Sequence, residues 1–94
     1  MFRMWIKLWK DNRLVKDLTV ENGEPVNRTK KVFEAVDRAC SEWDLPKPIW
    51  LQNNLKEFKK TARTRFGQDS FIEHIDFDWL ELHVIEEDSF YGGR

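Results

Sequence analysis

The sequence has little cysteine and glycine, and it has no long uncharged apolar run. Its only cysteine, Cys40, excludes an internal disulfide, and we find no secretory leader or membrane segment. Four glycines without a Gly-rich motif exclude a phosphate-cradling loop of the Walker or dinucleotide type. We therefore expect a protein of the reducing cytoplasm, with no membrane partner and no cofactor.

An excess of one charge is also missing. Sixteen basic and seventeen acidic residues leave a net charge of −1, which argues against attraction of the whole molecule to nucleic acid or membrane. The charges nevertheless form blocks, basic over 1–16 and 47–65 and acidic over 17–46 and 66–93. Because neighbouring blocks are complementary, they can pair with each other inside the fold.

Large aromatic side chains are plentiful. Five Trp and seven Phe allow a chain of 94 residues to build its core from few, large groups. No repeat, low-complexity segment or linker divides the chain. We therefore predict one α+β domain over residues 1–88, followed by a flexible C-terminal tail over 89–94 that contains Gly92 and Gly93.

The N-terminal part predicts a β-hairpin. Residues 2–10 and 14–21 are rich in aliphatic and aromatic side chains and flank the turn pair Asp11-Asn12. In the register where opposite residue numbers sum to 24, apolar residues face apolar ones and Lys7 faces Asp17. A shift by one would mix the two faces, so we prefer the sum of 24.

Two helices should follow the hairpin. The first spans about 28–43, with Asn27 as its N-cap, and ends before Pro46 and Pro48. The second begins at Asn54, which has Glu57 at the spacing of a capping box. Its apolar stripe comprises Leu55, Phe58, Ala62 and Phe66.

The remaining elements are a short third helix and a C-terminal strand. Ser70 and Glu73 repeat the capping-box spacing, and residues 76–87 read as a strand with Leu80 and Leu82 on one side. The predicted fold is thus α+β, in which the N-terminal hairpin and the C-terminal strand form an antiparallel sheet packed against two main helices and a short third one. A strand beside residues 2–10 would bring Glu81 to Lys7.

Three sets of residues are candidates for binding. The second face of the hairpin alternates cations with aromatics, a composition that stacks bases and holds phosphates. A basic run follows in the second helix, and Trp50 lies in an apolar anchor. The binding residues that we predict are Arg3, Trp5, Lys7, Trp9, Trp50, Lys56, Lys59, Lys60 and Arg63. Each set could instead have a purely structural role: the aromatics as core packing, and the basic run as a solvent-exposed helix face.

A catalytic constellation is not visible. Cys40 lies on the apolar stripe of its helix, where burial makes a thiol inert. His74, Asp76, Asp78 and His83 mix ligands for a divalent ion, but their spacing fits neither a zinc site nor an EF-hand. We therefore predict no enzyme, no catalytic residue and no metal site.

Several short motifs resemble one bacterial group. They are Arg3-Met4-Trp5, Lys47-Pro48-Ile49-Trp50-Leu51, Lys56-Glu57-Phe58, Thr64-Arg65-Phe66, Phe71-Ile72-Glu73 and Asp76-Phe77-Asp78. Over residues 2–88 the chain resembles short single-domain proteins of clostridial-type anaerobic bacteria. The resemblance implies a bacterial, cytoplasmic protein of one domain, and it carries no activity and no site residue.

The sequence favours a non-enzymatic interaction module. Five Trp exceed what so small a core can bury, and exposed aromatics anchor protein interfaces, so a protein partner at the hairpin and Trp50 is the first hypothesis. The same surface would also suit a homodimer. The second hypothesis is binding of RNA or single-stranded nucleic acid by the cations and aromatics of the hairpin. A small metal-dependent or acid-base enzyme around His74 and His83 is the third.

Overall fold

The predicted hairpin is present in the computed structural model of the chain, which describes residues 1–88. Strands β1 (Phe2–Lys10) and β2 (Arg13–Asn22) are joined by Asp11 and Asn12. Both turn residues are left-handed, with φ of 52° and 62°, as a type I′ hairpin turn requires. The tail predicted over 89–94 lies outside the described residues.

The predicted hairpin register is observed from Phe2 to Leu8, where paired residue numbers sum to 24. Beyond Leu8 the register shifts and Trp9 faces Leu14. Strand β2 therefore carries one extra, unpaired residue near the turn. The tight turn sets the pairing at the tip, whereas the apolar face sets it in the body of the hairpin.

The sheet has four antiparallel strands in the order β2-β1-β4-β3. Strand β4 (Trp79–Glu86) lies beside β1, the arrangement that brings Glu81 to Lys7, and β3 (Arg63–Phe66) lies on its other side. The sequence did not predict β3, because Phe66 was assigned to a helix. Its four residues alternate between exposed and buried, which is the signature of a strand.

Helix α1 (Arg28–Glu42) follows the prediction closely. Asn27 caps it by accepting a hydrogen bond from Lys30 N at 2.8 Å, and the left-handed Asp44 (φ 54°) ends it before the prolines. Its apolar stripe is buried against the sheet. Three cations lie in its first turn, and two of them are matched by carboxylates beyond β4, since Arg28 pairs with Glu87 and Lys31 with Asp88.

Helix α2 (Gln52–Thr61) differs from the prediction at both ends. It begins two residues before Asn54, which is buried in the first turn and accepts a hydrogen bond from Leu51 N at 3.0 Å. It ends at Ala62, whose left-handed φ of 59° turns the chain into β3. Leu55, predicted to be buried, is 50% exposed because the buried stripe runs through Asn54 and Phe58 instead.

The predicted third helix is only a 3-10 turn over Gln68–Ser70. The segment from there to β4 is irregular, and the side chain of Gln68 organises it by donating to Glu73 O and accepting from Ile75 N. These bonds satisfy backbone groups that a helix would have paired internally. Phe71 and Phe77 are nevertheless buried, with an edge-to-face contact at 5.5 Å.

The core lies between the helices and one face of the sheet. Phe2, Met4 and Ile6 of β1 contribute to it together with Leu80 and Leu82 of β4. Alternate residues of the same strands point to the opposite side, which no helix of residues 1–88 covers. In the described part of the chain, no helix is long and apolar enough to cross a membrane.

Candidate functional site

The uncovered side of the sheet, which we call the open face, is the candidate site. It receives side chains from all four strands. They are Arg3, Trp5, Lys7 and Trp9 of β1, Asp17, Thr19 and Glu21 of β2, Trp79, Glu81 and His83 of β4, and Arg63 and Arg65 of β3. The predicted hairpin face is therefore the centre of a larger surface.

One row of residues crosses all four strands with alternating charge. Asp17 faces Lys7, Lys7 faces Glu81, and Glu81 faces Arg65. The Lys7 ammonium lies 3.7 Å from Glu81 Oε1 and 3.9 Å from the centroid of the Trp5 ring. Only 9% of Lys7 is exposed, so its charge is used inside the face and is not free for a ligand.

The two tryptophans of β1 are half-buried and held by carboxylates. Trp5 Nε1 donates to Asp17 Oδ2 and Trp9 Nε1 donates to Glu81 Oε1, both at 2.9 Å. Because a satisfied N–H fixes the indole, each ring offers a rigid apolar surface. These contacts explain the carboxylates among the cations of the open face.

Arg3 is a bridging residue at the far end of β1. Its Nε lies 3.2 Å from Glu21 Oε2 and 3.0 Å from Glu86 Oε1, which places it between the two neighbouring strands. All three side chains are about half exposed, so water screens these pairs. Arg3 is thus less available to an anion than its position in the sequence suggested.

The four remaining predicted cations, together with Arg65, lie on the segment where α2 runs through Ala62 into β3, an edge strand of the sheet. All are exposed, and within residues 1–88 none has a carboxylate oxygen within 4.0 Å. We call this set the basic edge, and it comprises Lys56, Lys59, Lys60, Arg63 and Arg65.

The C-terminal acidic block is paired elsewhere. Glu81 and Glu86 bind cations of β1, while Glu87 and Asp88 bind the first turn of α1. The Lys31 ammonium that holds Asp88, at 2.7 Å, is 2% exposed. Internal pairing therefore occupies Arg3 and Lys7 of the N-terminal basic block, whereas within residues 1–88 no cation of the basic edge is paired.

Arg65 and Trp79 form a contact that sequence reasoning missed. The Arg65 guanidinium carbon lies 4.1 Å from the Trp79 ring centroid, within the range of a cation–π interaction. Gly67 packs against the same ring, since an added Cβ would meet Trp79 Cζ3 at 2.9 Å. The alternation of Arg63-Thr64-Arg65-Phe66 was the signal that would have placed Arg65 on the open face.

His83 is the titratable group at the centre of the open face. Burial, and then the charges of Arg63 and Lys7, lower its pKa, while Glu81 acts in the opposite direction. The Arg63 guanidinium lies 3.4 Å from His83 Nε2, a contact that a neutral ring can accept. The surface beside the basic edge therefore holds a neutral imidazole at pH 7.

The other residues considered for catalysis or metal binding do not come together in one site. Cys40 is buried in the core, and burial together with the negative charge of Asp37 raises its pKa to about 11. His83 lies on β4 and His74 in the exposed segment before it. Within residues 1–88, no three His, Cys, Asp or Glu side chains are grouped so that they could hold a metal ion.

Trp50 occupies a different surface from the other predicted binding residues. Its ring makes edge-to-face contacts with Phe33, Phe58 and Phe66 at centroid distances of 5.8, 5.4 and 5.0 Å. Trp50 thus packs against the core between the two helices. Beside it, Phe33 and Leu55 are about half exposed and line a shallow apolar groove of about 110 Å³.

Comparison of the chain with protein-family models, with curated proteins and with solved structures finds no match. The bacterial origin and cytoplasmic location expected from the sequence therefore stay predictions.

Proposed function

We propose that this protein binds single-stranded nucleic acid, with the bases on the open face and the phosphates along the basic edge. The observation that carries the proposal is the basic edge itself, whose five cations have no carboxylate partner among the described residues. Unmatched cations beside exposed aromatic rings fit a strand that carries phosphates and bases side by side.

The aromatic half of the surface supports the same ligand. Trp5 and Trp9 are half-buried on β1, and Trp79 is 38% exposed on β4 directly opposite Trp9. A base stacked on an aromatic side chain contributes about 1–3 kcal/mol of binding free energy, and stacking accepts every base. The Lys7 ammonium covers one face of Trp5 and the Arg65 guanidinium lies over Trp79, so bases would stack on the uncovered indole surface and on the Arg65 plane, without needing a paired duplex.

The arrangement of charges favours a single nucleic-acid strand as the ligand over an unspecific anion. Asp17, Glu21 and Glu81 lie among the rings and would repel phosphates from the middle of the face. The basic edge lies to one side, beyond β4. This division directs the backbone to the edge and leaves the centre to bases, which carry no charge.

The test is the salt dependence of binding. We would measure fluorescence anisotropy of labelled single-stranded RNA and DNA oligonucleotides from about 50 to 200 mM salt. The logarithm of the binding constant should fall linearly with the logarithm of salt concentration, by about 0.7 for each phosphate contact. A double-stranded oligonucleotide should bind more weakly, because its bases cannot stack on the face.

The matched variants remove two charges each. Lys60→Gln with Arg63→Gln should weaken binding and flatten the salt slope by about 1.4, which corresponds to two phosphate contacts. Lys30→Gln with Arg38→Gln removes two exposed cations of α1 that also lack a carboxylate within 4.0 Å in the described chain. The α1 variant should bind almost as the wild type does.

Absence of binding to either nucleic acid at low salt would refute the proposal and return a protein partner to first place. The open face would then be the surface to search, since apolar protein interfaces depend little on salt. Equal losses in the two double variants would also count against the proposal, because they would reduce it to attraction by net charge.

A second candidate function rests on the groove beside Trp50. Phe33, Ile49 and Leu55 are each 45–50% exposed and adjoin this half-buried ring, a pattern typical of a small protein-binding surface. The sequence already suggested a homodimer, and sedimentation of wild type against Leu55→Lys would test it. A concentration-dependent dimer that this variant abolishes would support self-association there.

A further inference from the structure

A cleft at the turn end of the open face has the features of a base-binding pocket. It lies where the hairpin turn meets the start of β4 and has a volume of about 250 Å³. Its lining combines two aromatic rings, a guanidinium and three polar side chains, namely Trp9, Trp79, Arg65, Asn12, Asp78 and Glu81.

The walls of the cleft are fixed in place. Trp9 is held through its N–H by Glu81 at 2.9 Å, and Trp79 contacts both Arg65 and the closely packed Gly67. Trp9 and Trp79 are direct partners across the β1 and β4 pairing. A flat ligand that enters here meets aromatic or guanidinium surface, on which bases stack.

The carboxylate of Asp78 determines the polar chemistry. Asp78 Oδ2 accepts a hydrogen bond from Asp11 N at 2.8 Å, and Asp78 N donates to Trp9 O at 2.8 Å, so the residue is anchored to the hairpin. Within residues 1–88 no cation nitrogen lies within 4.0 Å of it. An ionised carboxylate has about four acceptor positions and no donor, so this one retains unused acceptor capacity.

We propose that this cleft binds one base of the strand and selects guanine. The inference rests on the proposed function, since it assigns a base to a surface that first has to bind a strand. The Watson–Crick edge of guanine presents two adjacent donors, N1–H and the N2 amine, which match the two oxygens of a carboxylate. Adenine, cytosine and uracil each place an acceptor beside their donor, and that acceptor would face the negative charge of Asp78.

The selectivity has a defined chemical test. We would compare short uridine oligonucleotides that carry one central guanosine, adenosine, cytidine or inosine, together with the matching deoxy series. Guanosine should bind about tenfold more tightly than adenosine or cytidine, the discrimination typical of a bidentate base contact. Inosine lacks only the N2 amine, so it should lose most of that preference.

The matched variants are Asp78→Asn and Asp76→Asn. The first keeps an oxygen that accepts from Asp11 N, and it replaces acceptor capacity with a donor. It should abolish the preference for guanosine while retaining binding to the uridine strand. Asp76 is exposed and does not line the cleft, so its variant removes the same charge and should keep the preference.

The outcomes separate the two proposals. Equal affinity for all four bases, or an unchanged preference in Asp78→Asn, would refute guanine selection and leave strand binding intact. Absence of binding to every oligonucleotide would refute both. A preference that both the Asp78 and Asp76 variants lose would show that charge alone produces it, which would also refute the pocket.

Discussion

Lys7 and Glu81 face each other across β1 and β4, with Nζ 3.7 Å from Oε1, and their side chains are only 11% and 17% exposed. Lys7→Met should lower the free energy of unfolding by about 1–3 kcal/mol, because it leaves a largely buried carboxylate without its cation. Chemical denaturation would measure the loss.

The double variant Lys7→Met with Glu81→Gln tests that explanation. The amide oxygen can still accept the Trp9 N–H, while the unpaired charge is gone. Most of the lost stability should return. If the double variant were less stable than Lys7→Met alone, the cost would come from packing around Trp5 and not from charge.

Asn54 makes three side-chain hydrogen bonds, two of which connect α2 to β3. Its Oδ1 accepts from Leu51 N at 3.0 Å, and its Nδ2 donates to Thr64 Oγ1 at 2.9 Å and Arg65 O at 3.0 Å. Asn54→Ala should destabilise the fold by about 2–4 kcal/mol, because the side chain is buried and its partners lose their hydrogen bonds. Asn53→Ala, an exposed neighbour, should change stability by less than about 0.5 kcal/mol in the same denaturation experiment.

Gly67 is required by Trp79. A Cβ at this position would lie 2.9 Å from Trp79 Cζ3, so Gly67→Ala should displace the ring and cost about 1 kcal/mol of stability. The cost should vanish in a Trp79→Ala background, where the clash is absent. A double-mutant cycle with no coupling between the two positions would contradict this account.

Cys40 should be unreactive in the folded protein. Burial and Asp37 raise its pKa to about 11, so near pH 8 its thiolate fraction is roughly a hundredfold below that of an ordinary cysteine. Labelling with a thiol reagent should be slow without denaturant and rapid in it. Rapid labelling of the native protein would show that the core opens readily around α1.

His83 should make stability depend on pH. Its folded pKa is lowered by burial, Arg63 and Lys7, so the folded protein binds this proton less readily than the unfolded chain does. Its contribution is complete above the ordinary value of 6.5 and decreases as pH falls towards the lowered pKa. His83→Gln should therefore lose less stability than wild type between about pH 7.5 and 5. Parallel curves for the two proteins would exclude this role.

The hairpin could be predicted because one local pattern fixed both its faces. The sum of 24 places Met4 opposite Val20 and Ile6 opposite Leu18, and Asp11-Asn12 supplies a turn that tolerates positive φ. The end of α1 could be predicted for the same reason, because Pro46 and Pro48 follow it closely in the chain. These elements depend on residues close together in the chain.

Strand β3 and the site around it could not be predicted in the same way. The helical pattern continues through Lys59, Lys60 and Ala62, and only the left-handed turn at Ala62 stops it. An alanine is an uncommon residue for that conformation. Arg65 comes to lie over Trp79 through pairing between β3 and β4, and such pairing has no local signature in the sequence.

The position of β1 determines when the sheet can be completed during synthesis. Its two neighbours are β2, which follows it at once, and β4, which is made after both helices. A nascent chain therefore carries Phe2, Met4 and Ile6 beside an unpaired strand edge until β4 has left the ribosome. Because the closing contacts are so distant in sequence, we expect folding to be slow for a chain of this size and limited by the docking of β4.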